Sequence, residues 1–291
     1  MQKSSEPAVP ALPLWWLARL HIRRVAFHAL AGCIAALFVV PLIWAGLASL
    51  RQPGLPPPRG LGLPTTALAW QNYRQIFTLL PLGGYLLNSL LVASSAVLIT
   101  LVTASWAGFA MARLPAPLRG RLVLFAVLLR LIPLPALWLA RFVIFTRLQL
   151  TDTLWALIVP AWMGTSPFYV LLFYWSFRRI PSELFDAARL DGAGVLYTWA
   201  SVGLPLVRPT AASVGVLCFI HYWSDFINPL IYLKSEANYT LPVGLRILQQ
   251  LDVTNWPLLM AGAVVLMAPI LLIFLFAQRA FWVEEQGVGS R

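Results

Sequence analysis

The chain has 291 residues, of which 60% are hydrophobic and only 11% are charged, and its formal net charge is +11. Because a soluble domain carries about 25% charged residues, this composition excludes a soluble globular protein and makes a lipid bilayer the solvent for much of the chain. The positive charge does not indicate nucleic-acid binding, since basic residues of membrane proteins collect on the cytoplasmic side of the bilayer. The sequence therefore predicts contact with membrane lipid and no contact with nucleic acid.

Six long apolar runs follow one another along the chain, and each is long enough to cross a hydrocarbon core as a helix of about 20 residues. They occupy residues 25–50, 85–111, 122–145, 154–177, 204–232 and 256–281. Because these runs lack the period-two alternation of a membrane β-barrel, they predict an all-α membrane protein with six transmembrane helices. The first run is too long for the apolar core of a signal peptide, so we expect it to remain as the first helix of one membrane domain, residues 25–281.

The distribution of basic residues predicts the orientation of these helices. If the N-terminus lies inside, thirteen of the 21 lysines and arginines fall on the inner side, six on the outer side and two within a span. Because such an excess marks the cytoplasmic side, both termini are expected in the cytoplasm, as an N-terminal segment over residues 1–24 and a tail over residues 282–291. The expected location is the cytoplasmic membrane of a bacterium or archaeon, with several passes.

Proline and glycine mark the places where regular helices should be interrupted. The first outer loop opens with a proline-rich segment, residues 51–60, for which ordinary secondary structure is not expected. Residues 67–80 after it favour a short helix near the outer surface. Prolines inside the apolar runs are expected to kink the spans. They are Pro133, Pro135, Pro160, Pro167 and Pro269.

The cysteine and histidine patterns do not predict a metal site. Cys33 and Cys218 both lie in apolar runs, where small buried hydrophobic side chains are a simpler interpretation than a disulfide framework or a zinc site. The histidines at positions 21, 28 and 221 lack the spacing of metal ligands. We therefore expect no metal ion in this chain.

The inner loop between the fourth and fifth runs, residues 178–205, contains the most informative segment of the chain. Ser182 is a good helix N-cap, and Gly192 and Gly194 permit the positive φ angles that end a helix. The segment between them predicts a short helix of about nine residues, roughly 14 Å long. A second short helix is expected to return the chain to Pro205, where the fifth span should begin.

The apolar side chains of the first short helix permit two interpretations. Leu184, Phe185 and Leu190 either anchor the helix in a groove on a cytoplasmic partner or form the apolar face of a helix that lies on the lipid surface. Composition and spacing leave both interpretations open.

The order of residues in this loop is similar to the sequence signature of a known family. Asp186-Ala187-Ala188 is followed after three residues by Gly192, and after nine more by Val202-Gly203-Leu204-Pro205. The loop thereby resembles the cytoplasmic EAA signature of permease subunits in binding-protein-dependent ABC importers, which reads Glu-Ala-Ala, three residues, Gly, nine residues and Ile-x-Leu-Pro. The spacing is intact, and the departures are Asp for Glu and Val for Ile.

The resemblance extends along most of the chain and points to the carbohydrate-uptake branch of that family, which includes the smaller permease of the maltose system. The similar segments are residues 72–74, 88–90, 112–114, 132–133, 152–153, 180–184, 223–226, 229–230, 240–245 and 278–281. At the C-terminus the chain departs from the family, because Glu284-Glu285 stands in place of a glycine-containing tail.

The resemblance implies the fold of a type I ABC importer permease and a division of labour among subunits. In such permeases the signature loop is a coupling helix seated in a groove of an ATP-binding subunit. The implied partners are two ATP-binding cassette subunits, a second homologous permease, and an extracytoplasmic solute-binding protein that would face the loop around residues 238–255. By this likeness the ATPase-coupling residues are Ser182, Glu183, Leu184, Phe185, Asp186, Ala187, Ala188, Arg189, Asp191, Gly192, Leu204 and Pro205.

The chain itself is not expected to hydrolyse ATP. A Walker A motif needs a lysine behind a glycine-rich loop to reach the phosphates, and the only lysines, Lys3 and Lys234, have no such setting. We therefore expect no cofactor in this chain, with ATP and Mg²⁺ bound by the partner ATPase subunits.

Polar and aromatic residues inside the predicted spans are candidates for a translocation pathway. Arg130 lies where an arginine facing lipid costs roughly 2.5–3.5 kcal/mol, so it either faces the pathway, bonds a carbonyl or snorkels to the inner surface. Arg141 and Asp225 lie at matching depth and are expected to pair, which lowers the cost of burying both. The remaining candidates, for which helix packing is the rival explanation, are Asn88, Trp138, Tyr222, Trp223 and Asn228.

Two other functions compete with that of an importer permease. A stand-alone secondary transporter or channel for a small polar solute is favoured by inverted repeats, which this sequence lacks, and the signature loop has no role in it. A membrane scaffold without transport predicts no solute-dependent ATPase activity in any complex. The sequence thus predicts the permease subunit of an ATP-driven importer for a sugar or sugar-like solute.

Overall fold

The computed structural model describes the backbone of residues 14–57, 68–252 and 254–288, and the side chains of residues 23–57, 68–252 and 254–277. Residues 1–13 of the predicted N-terminal segment, part of the proline-rich loop and residues 289–291 of the predicted tail lie outside the described residues. So do the side chains of Arg279, Glu284 and Glu285.

Every regular element in the described part of the chain is helical. The helices are α1 (Leu14–Ser49), α2 (Gln71–Leu79), α3 (Leu82–Arg113), α4 (Ala116–Arg130), α5 (Leu134–Arg147), α6 (Trp155–Ile158), α7 (Pro167–Arg178), α8 (Ser182–Leu190), α9 (Val195–Tyr197), α10 (Leu204–Leu206), α11 (Arg208–Trp223), α12 (Ile227–Tyr232), α13 (Leu241–Leu251) and α14 (Trp256–Val288). A 3₁₀ turn, Val159–Met163, follows α6, and a second 3₁₀ turn, Glu236–Asn238, precedes α13. A π-helical turn, Thr198–Gly203, joins α9 to α10.

The described residues contain four to six candidate membrane spans. Four are continuous and apolar enough to cross a bilayer, and two more arise if each of two bent helix pairs counts as one span. The continuous spans are Arg23–Ser49, Leu82–Arg113, Trp155–Arg178 and Trp256–Ala277. Together with the bent pairs they overlap all six predicted apolar runs, so the all-helical membrane fold is confirmed.

The third predicted span is broken rather than kinked. Helices α4 and α5 meet at an angle of 91°, and Pro133 at the corner has extended backbone with ψ of 130°. Because a residue that precedes proline disfavours the helical conformation, Ile132, which precedes Pro133, lies in the corner between the two helices. The position of the interruption was predicted, whereas a continuous helix over residues 122–145 was wrong.

The fifth predicted run is bent near its start. The chain turns by 84° between the α9–α10 segment and α11, and Val207 at the bend has a φ of −109° and a ψ of 20°. Proline is favoured in the first turn of a helix, where its missing N–H costs nothing, and Pro209 occupies that place in α11. The predicted start at Leu204 and Pro205 therefore lies before the bend, and the long helix of this run begins at Arg208.

Helix α3 is the central helix of the fold and packs along both α7 and α11. Gly108 sets the closeness of the α3–α7 contact, because an added Cβ would lie 2.6 Å from the Cβ of Phe173 and 2.8 Å from the backbone nitrogen of Tyr174. No larger side chain fits there without moving one of the two helices. The two helices therefore form one closely packed pair that runs from the cavity to the inner loop.

Helix α1 lies at the edge of the fold, where it packs against α14. Its outward side chains are highly exposed, with Leu37 at 71% and Phe38 at 73%, as expected for a helix that faces lipid. The predicted short helix in the first outer loop is confirmed as α2. Its Asn72 donates from Nδ2 to the carbonyl oxygens of Ser49 and Arg51, both at 2.7 Å, and so fixes α2 to the end of α1.

Candidate coupling loop and solute cavity

Helix α8 is the predicted short helix of the inner loop, and its length of nine residues is confirmed. Its N-cap is Pro181 rather than Ser182, which is the first helical residue and makes no capping hydrogen bond. At the other end Gly192 has a φ of +80°, as the glycine prediction required. Gly194 has a φ of −66°, so its predicted role in ending the helix is wrong.

The side chains of α8 divide into an outward face and one inward residue. Leu190 is 89% exposed and Leu184 is 47% exposed, whereas Phe185 is only 3% exposed. Two of the three predicted anchors are therefore free to meet a partner, and Phe185 instead packs inside the chain. Of the other predicted coupling residues, Ala188 and Leu204 are half-buried, and the exposed ones are Ser182, Glu183, Asp186, Ala187, Arg189, Asp191, Gly192 and Pro205.

Phe185 packs on the C-terminal end of α3. The guanidinium carbon of Arg113 lies 3.8 Å from the centroid of the Phe185 ring and 4.8 Å from that of Phe109. The two rings meet edge to face at 5.8 Å, the arrangement that aromatic quadrupoles favour. Phe177 of α7 extends the cluster with a 5.3 Å edge contact to Phe109.

The second half of the loop also rests on α3. Trp199, in the π-helical turn, meets Trp106 edge to face at 5.1 Å. Gly203 lies against the same cluster, since an added Cβ would be 3.1 Å from Cε1 of Phe177 and 3.5 Å from Cε2 of Phe109. The loop is thus seated on the inner end of α3 at two places.

Asp186, which stands where the family signature has glutamate, is exposed and makes few contacts within the chain. Its carboxylate lies 3.9 Å from Arg189 in the one ion pair found among the described residues, and both side chains are about 60% exposed. Such exposed pairs contribute about 0–1 kcal/mol. The carboxylate therefore remains available to a partner.

A cavity of about 410 Å³ opens between α4, α5, α7 and α11. Six of the eight residues predicted for a pathway line it, and they are Arg130, Trp138, Arg141, Tyr222, Asp225 and Asn228. The lining residues that were not predicted include Thr165, Phe168, Tyr169 and His221. Cations, one carboxylate, hydroxyls and aromatic faces thus surround one space, a mixture that suits a hydroxylated ring.

The predicted pair of Arg141 and Asp225 does not form, although both residues line the cavity. Asp225 instead accepts hydrogen bonds from the backbone nitrogen of Asn228 at 3.2 Å and from its Nδ2 at 2.8 Å. The carboxylate therefore stabilises the first turn of α12. The prediction, which paired opposite charges at equal depth in two spans, did not identify this hydrogen-bond partner.

Asn88 and Trp223, the other two predicted pathway residues, lie outside the cavity lining. Asn88 donates from Nδ2 to the carbonyl oxygens of Ala237 at 2.8 Å and Tyr239 at 3.0 Å. Trp223 is 1% exposed and donates from Nε1 to the carbonyl oxygen of Leu266 at 2.8 Å. Both side chains thus bond the backbone of another segment of the chain.

A chain of hydroxyl groups connects α3 with the wall of the cavity. Thr100 Oγ1 lies 2.5 Å from Thr165 Oγ1, which lies 3.0 Å from the hydroxyl of Tyr222. Thr165 has a φ of 59° and follows Gly164, whose φ is 72°, so two left-handed residues interrupt the fourth span. For a β-branched residue this backbone is strained and marks a functional candidate. The sequence signal was Gly164-Thr165-Ser166-Pro167, a turn motif inside an apolar run.

A second cavity of about 530 Å³ lies between the C-terminal half of α7 and the N-terminal half of α11. Its lining includes Trp175 and Ser176 of α7, Arg179 directly after that helix, and Thr210 and Ser213 of α11. The first cavity contacts the opposite ends of the same two helices, at Phe168 and Tyr222. The two cavities therefore lie beside one pair of helices, near its two ends.

The outer loop between α12 and α13 is held by Asp152. Its carboxylate accepts from Ser235 Oγ and from the backbone nitrogens of Ser235 at 2.8 Å and Lys234 at 2.9 Å, while Asn238 Nδ2 donates to its carbonyl at 2.6 Å. These hydrogen bonds, foremost that from the Ser235 side chain, hold the pKa of Asp152 well below its usual range. The loop predicted to face a binding protein is thus ordered by the chain itself.

Groups of three or more His, Cys, Asp or Glu that could hold a metal ion do not occur in the described part of the chain. Cys218 is buried, as predicted, while Cys33 is exposed on α1, which corrects the expectation for that residue.

The chain is similar to known transport proteins. Residues 104–281 match the family described as binding-protein-dependent transport system inner membrane component. The arabinooligosaccharides transport system permease protein AraQ of Halalkalibacterium halodurans is 33% identical over 272 residues, which cover 92% of this chain and 93% of that protein. The sulfoquinovosyl glycerol transport system permease protein SmoH of Agrobacterium fabrum is 30% identical, with 82% of this chain and 84% of that protein covered.

A solved structure has the same fold. A chain from a bacterial ABC transporter involved in the import of the acidic polysaccharide alginate superposes with a TM-score of 0.70, covering 89% of this chain and 96% of that one. The sequences are only 20% identical, so this likeness establishes the shared fold alone.

Proposed function

Because the chain belongs to the family of binding-protein-dependent transport system inner membrane components, we propose that it pairs with a second, homologous permease to enclose the pathway of a sugar or sugar-like solute. As a member of this family it is a multi-pass protein of the inner membrane and the permease component rather than the ATPase. The names of the relatives mention arabinooligosaccharides, sulfoquinovosyl glycerol and diacetylchitobiose, and this range supports the solute class.

The proposed topology has six spans with both termini in the cytoplasm, in a type I importer fold. It counts α4–α5 as the third span and α11–α12 as the fifth. The excess of basic residues on the inner side supports this orientation. Residues 1–24 and 282–291 are then the cytoplasmic N-terminal segment and tail, and residues 25–281 form the permease domain.

The observation that carries the proposal is the exposed outward face of α8. A short helix with the EAA-type spacing lies in the loop between two spans, and on it Leu190 is 89% exposed and Leu184 is 47% exposed. Exposed apolar side chains on one face of a short helix suit a groove on a partner or a lipid surface. We infer that a groove on an ATP-binding subunit receives this face, and that ATP and Mg²⁺ are bound there.

The proposed solute path runs beside α7 and α11. The cavity around Arg130, Trp138 and Tyr222 receives the solute from the outer side, where a solute-binding protein docks near the loop held by Asp152. The hydroxyl-lined cavity at Ser176 and Thr210 lies near the other end of the same pair of helices, toward the coupling loop. A second permease closes the open side of both cavities.

Co-purification tests the coupling helix. The tagged chain, expressed with a candidate ATP-binding subunit, should retain that subunit in detergent, and the complex in lipid nanodiscs should hydrolyse ATP. The Leu190→Asp variant should lose the ATP-binding subunit, because a charge replaces the most exposed apolar side chain of the docking face. Gly192→Pro with Ala188→Asp should have the same effect, since proline cannot adopt a φ of +80°.

The matched control is Leu251→Asp on α13, where the leucine is 60% exposed on the proposed outer side. This variant should retain the ATP-binding subunit. A monodisperse wild-type chain that transports solute without any ATPase partner would overturn the proposal in favour of a stand-alone transporter.

A further inference from the structure

We propose that Arg113 and Phe185 form a clamp that makes the coupling helix and α3 move as one body, so that the motion of an ATPase partner reaches the solute cavity through α3. This inference rests on the proposed function, because it presupposes a partner at α8. Both are positioning residues, since Phe185 is buried away from the partner face and Arg113 lies beneath it.

The clamp is a planar cation that contacts two aromatic rings. Arg113 stands 3.8 Å from the ring centroid of Phe185 and 4.8 Å from that of Phe109, within the range of a cation–π contact. Its Nη2 is buried and has no hydrogen-bond partner. The rings therefore support this side of the guanidinium, and a lysine of equal charge lacks the planar, delocalised cation that suits aromatic faces.

One stripe of side chains on α3 contacts the coupling loop. Trp106, Phe109 and Arg113 recur at helical spacing on one face. Trp106 meets Trp199, while Phe109 and Arg113 meet Phe185. Both halves of the loop are therefore attached to α3 within about two turns, so the loop cannot tilt on α3 without breaking one of these contacts.

The same helix reaches the cavity. Thr100 lies 13 residues before Arg113, about 20 Å along α3, and its hydroxyl contacts Thr165, which contacts Tyr222 of the cavity wall. Thr165 has the left-handed backbone that needs support from its surroundings. A displacement of α3 therefore shifts the Thr100–Thr165 contact, and with it the interrupted segment that lines the cavity. The close contact at Gly108 carries α7 along with α3.

A distance measurement tests the clamp without knowledge of the solute. Spin labels at Tyr197→Cys in the loop and Leu98→Cys in α3, which are 62% and 67% exposed, report the loop–α3 distance in a Cys33→Ala background. The complex with its ATP-binding subunits is measured without nucleotide and after trapping with ATP and vanadate. We expect the same distance in both states for the otherwise wild-type chain, and a nucleotide-dependent shift or broadening in Arg113→Lys and Phe185→Leu.

The matched control is Arg121→Lys, an exposed arginine at the same end of the molecule, which should behave like the wild type. Both clamp variants should still co-purify with the ATP-binding subunit, unlike Leu190→Asp. A loop–α3 distance that shifts with nucleotide in the wild type would overturn the clamp, as would an Arg113→Lys variant indistinguishable from wild type. Absence of an ATPase partner for the wild type would instead refute the proposed function itself.

Discussion

Single polar side chains hold the turns of this fold together. Asn72, Asn88 and Asp152 each bond two or more backbone groups of a segment distant in sequence. Each of these side chains therefore fixes a loop end. Asp225 acts locally in the same way at the start of α12. All four residues lie in segments that resemble the family. Their hydrogen-bond partners, in contrast, depended on the fold.

Arg130 offers a direct test of the cavity. It lines the space together with Tyr169 and His221, so Arg130→Gln should lower transport of the binding protein's solute at low concentration by about tenfold, the effect of losing one charged hydrogen bond. Uptake into proteoliposomes measures this effect. Arg147→Gln, at the exposed end of α5, is the matched control. Equal uptake by both variants would remove Arg130 from the solute path.

The helices are interrupted where the sequence contains prolines or turn residues, but the changes in chain direction are larger than the predicted kinks. Pro133 and Pro135 produce a corner of 91° rather than a kink. The fourth span contains a 3₁₀ turn and two left-handed residues between α6 and α7. The EAA-type spacing located α8, but the inward turn of Phe185 followed from the aromatic end of α3, which lies some seventy residues earlier in the chain.

Gly108 tests the contact between α3 and α7. An added methyl group would lie within 3 Å of both Phe173 and Tyr174, so Gly108→Ala should destabilise the protein by about 1–3 kcal/mol, as overpacking does. Gly120→Ala in α4 meets nothing within 4 Å and should be neutral or slightly stabilising, because alanine favours a helix. Thermal unfolding in detergent compares the two. If Gly108→Ala melts no lower than Gly120→Ala, the close contact does not set the packing.

Many large apolar side chains of the described residues are exposed. In the proposed assembly those of α1 face lipid, and a second permease closes the cavities beside α7 and α11. The excess of basic residues on one side supports the proposed orientation, because basic residues collect on the cytoplasmic side of a membrane.

Labelling with a membrane-impermeant maleimide tests the orientation. In intact cells Lys234→Cys, exposed in the loop between α12 and α13, should react from outside, and Leu190→Cys should react only after the membrane is opened. The unsubstituted chain is the control, since Cys33 lies on the lipid-facing helix and Cys218 is buried. The reverse pattern would invert the proposed topology.

The sequence by itself determined that much of the chain lies in a lipid bilayer, where the apolar runs lie and where the inner-loop helix lies. These properties depend on composition, length and local spacing, which act within one segment. Only the tertiary structure decided which polar residues share the cavity, that Asp225 serves Asn228 rather than Arg141, and that Phe185 faces Arg113. The reason is that these contacts join segments far apart in sequence, and their geometry depends on how closely α3, α7 and α11 pack.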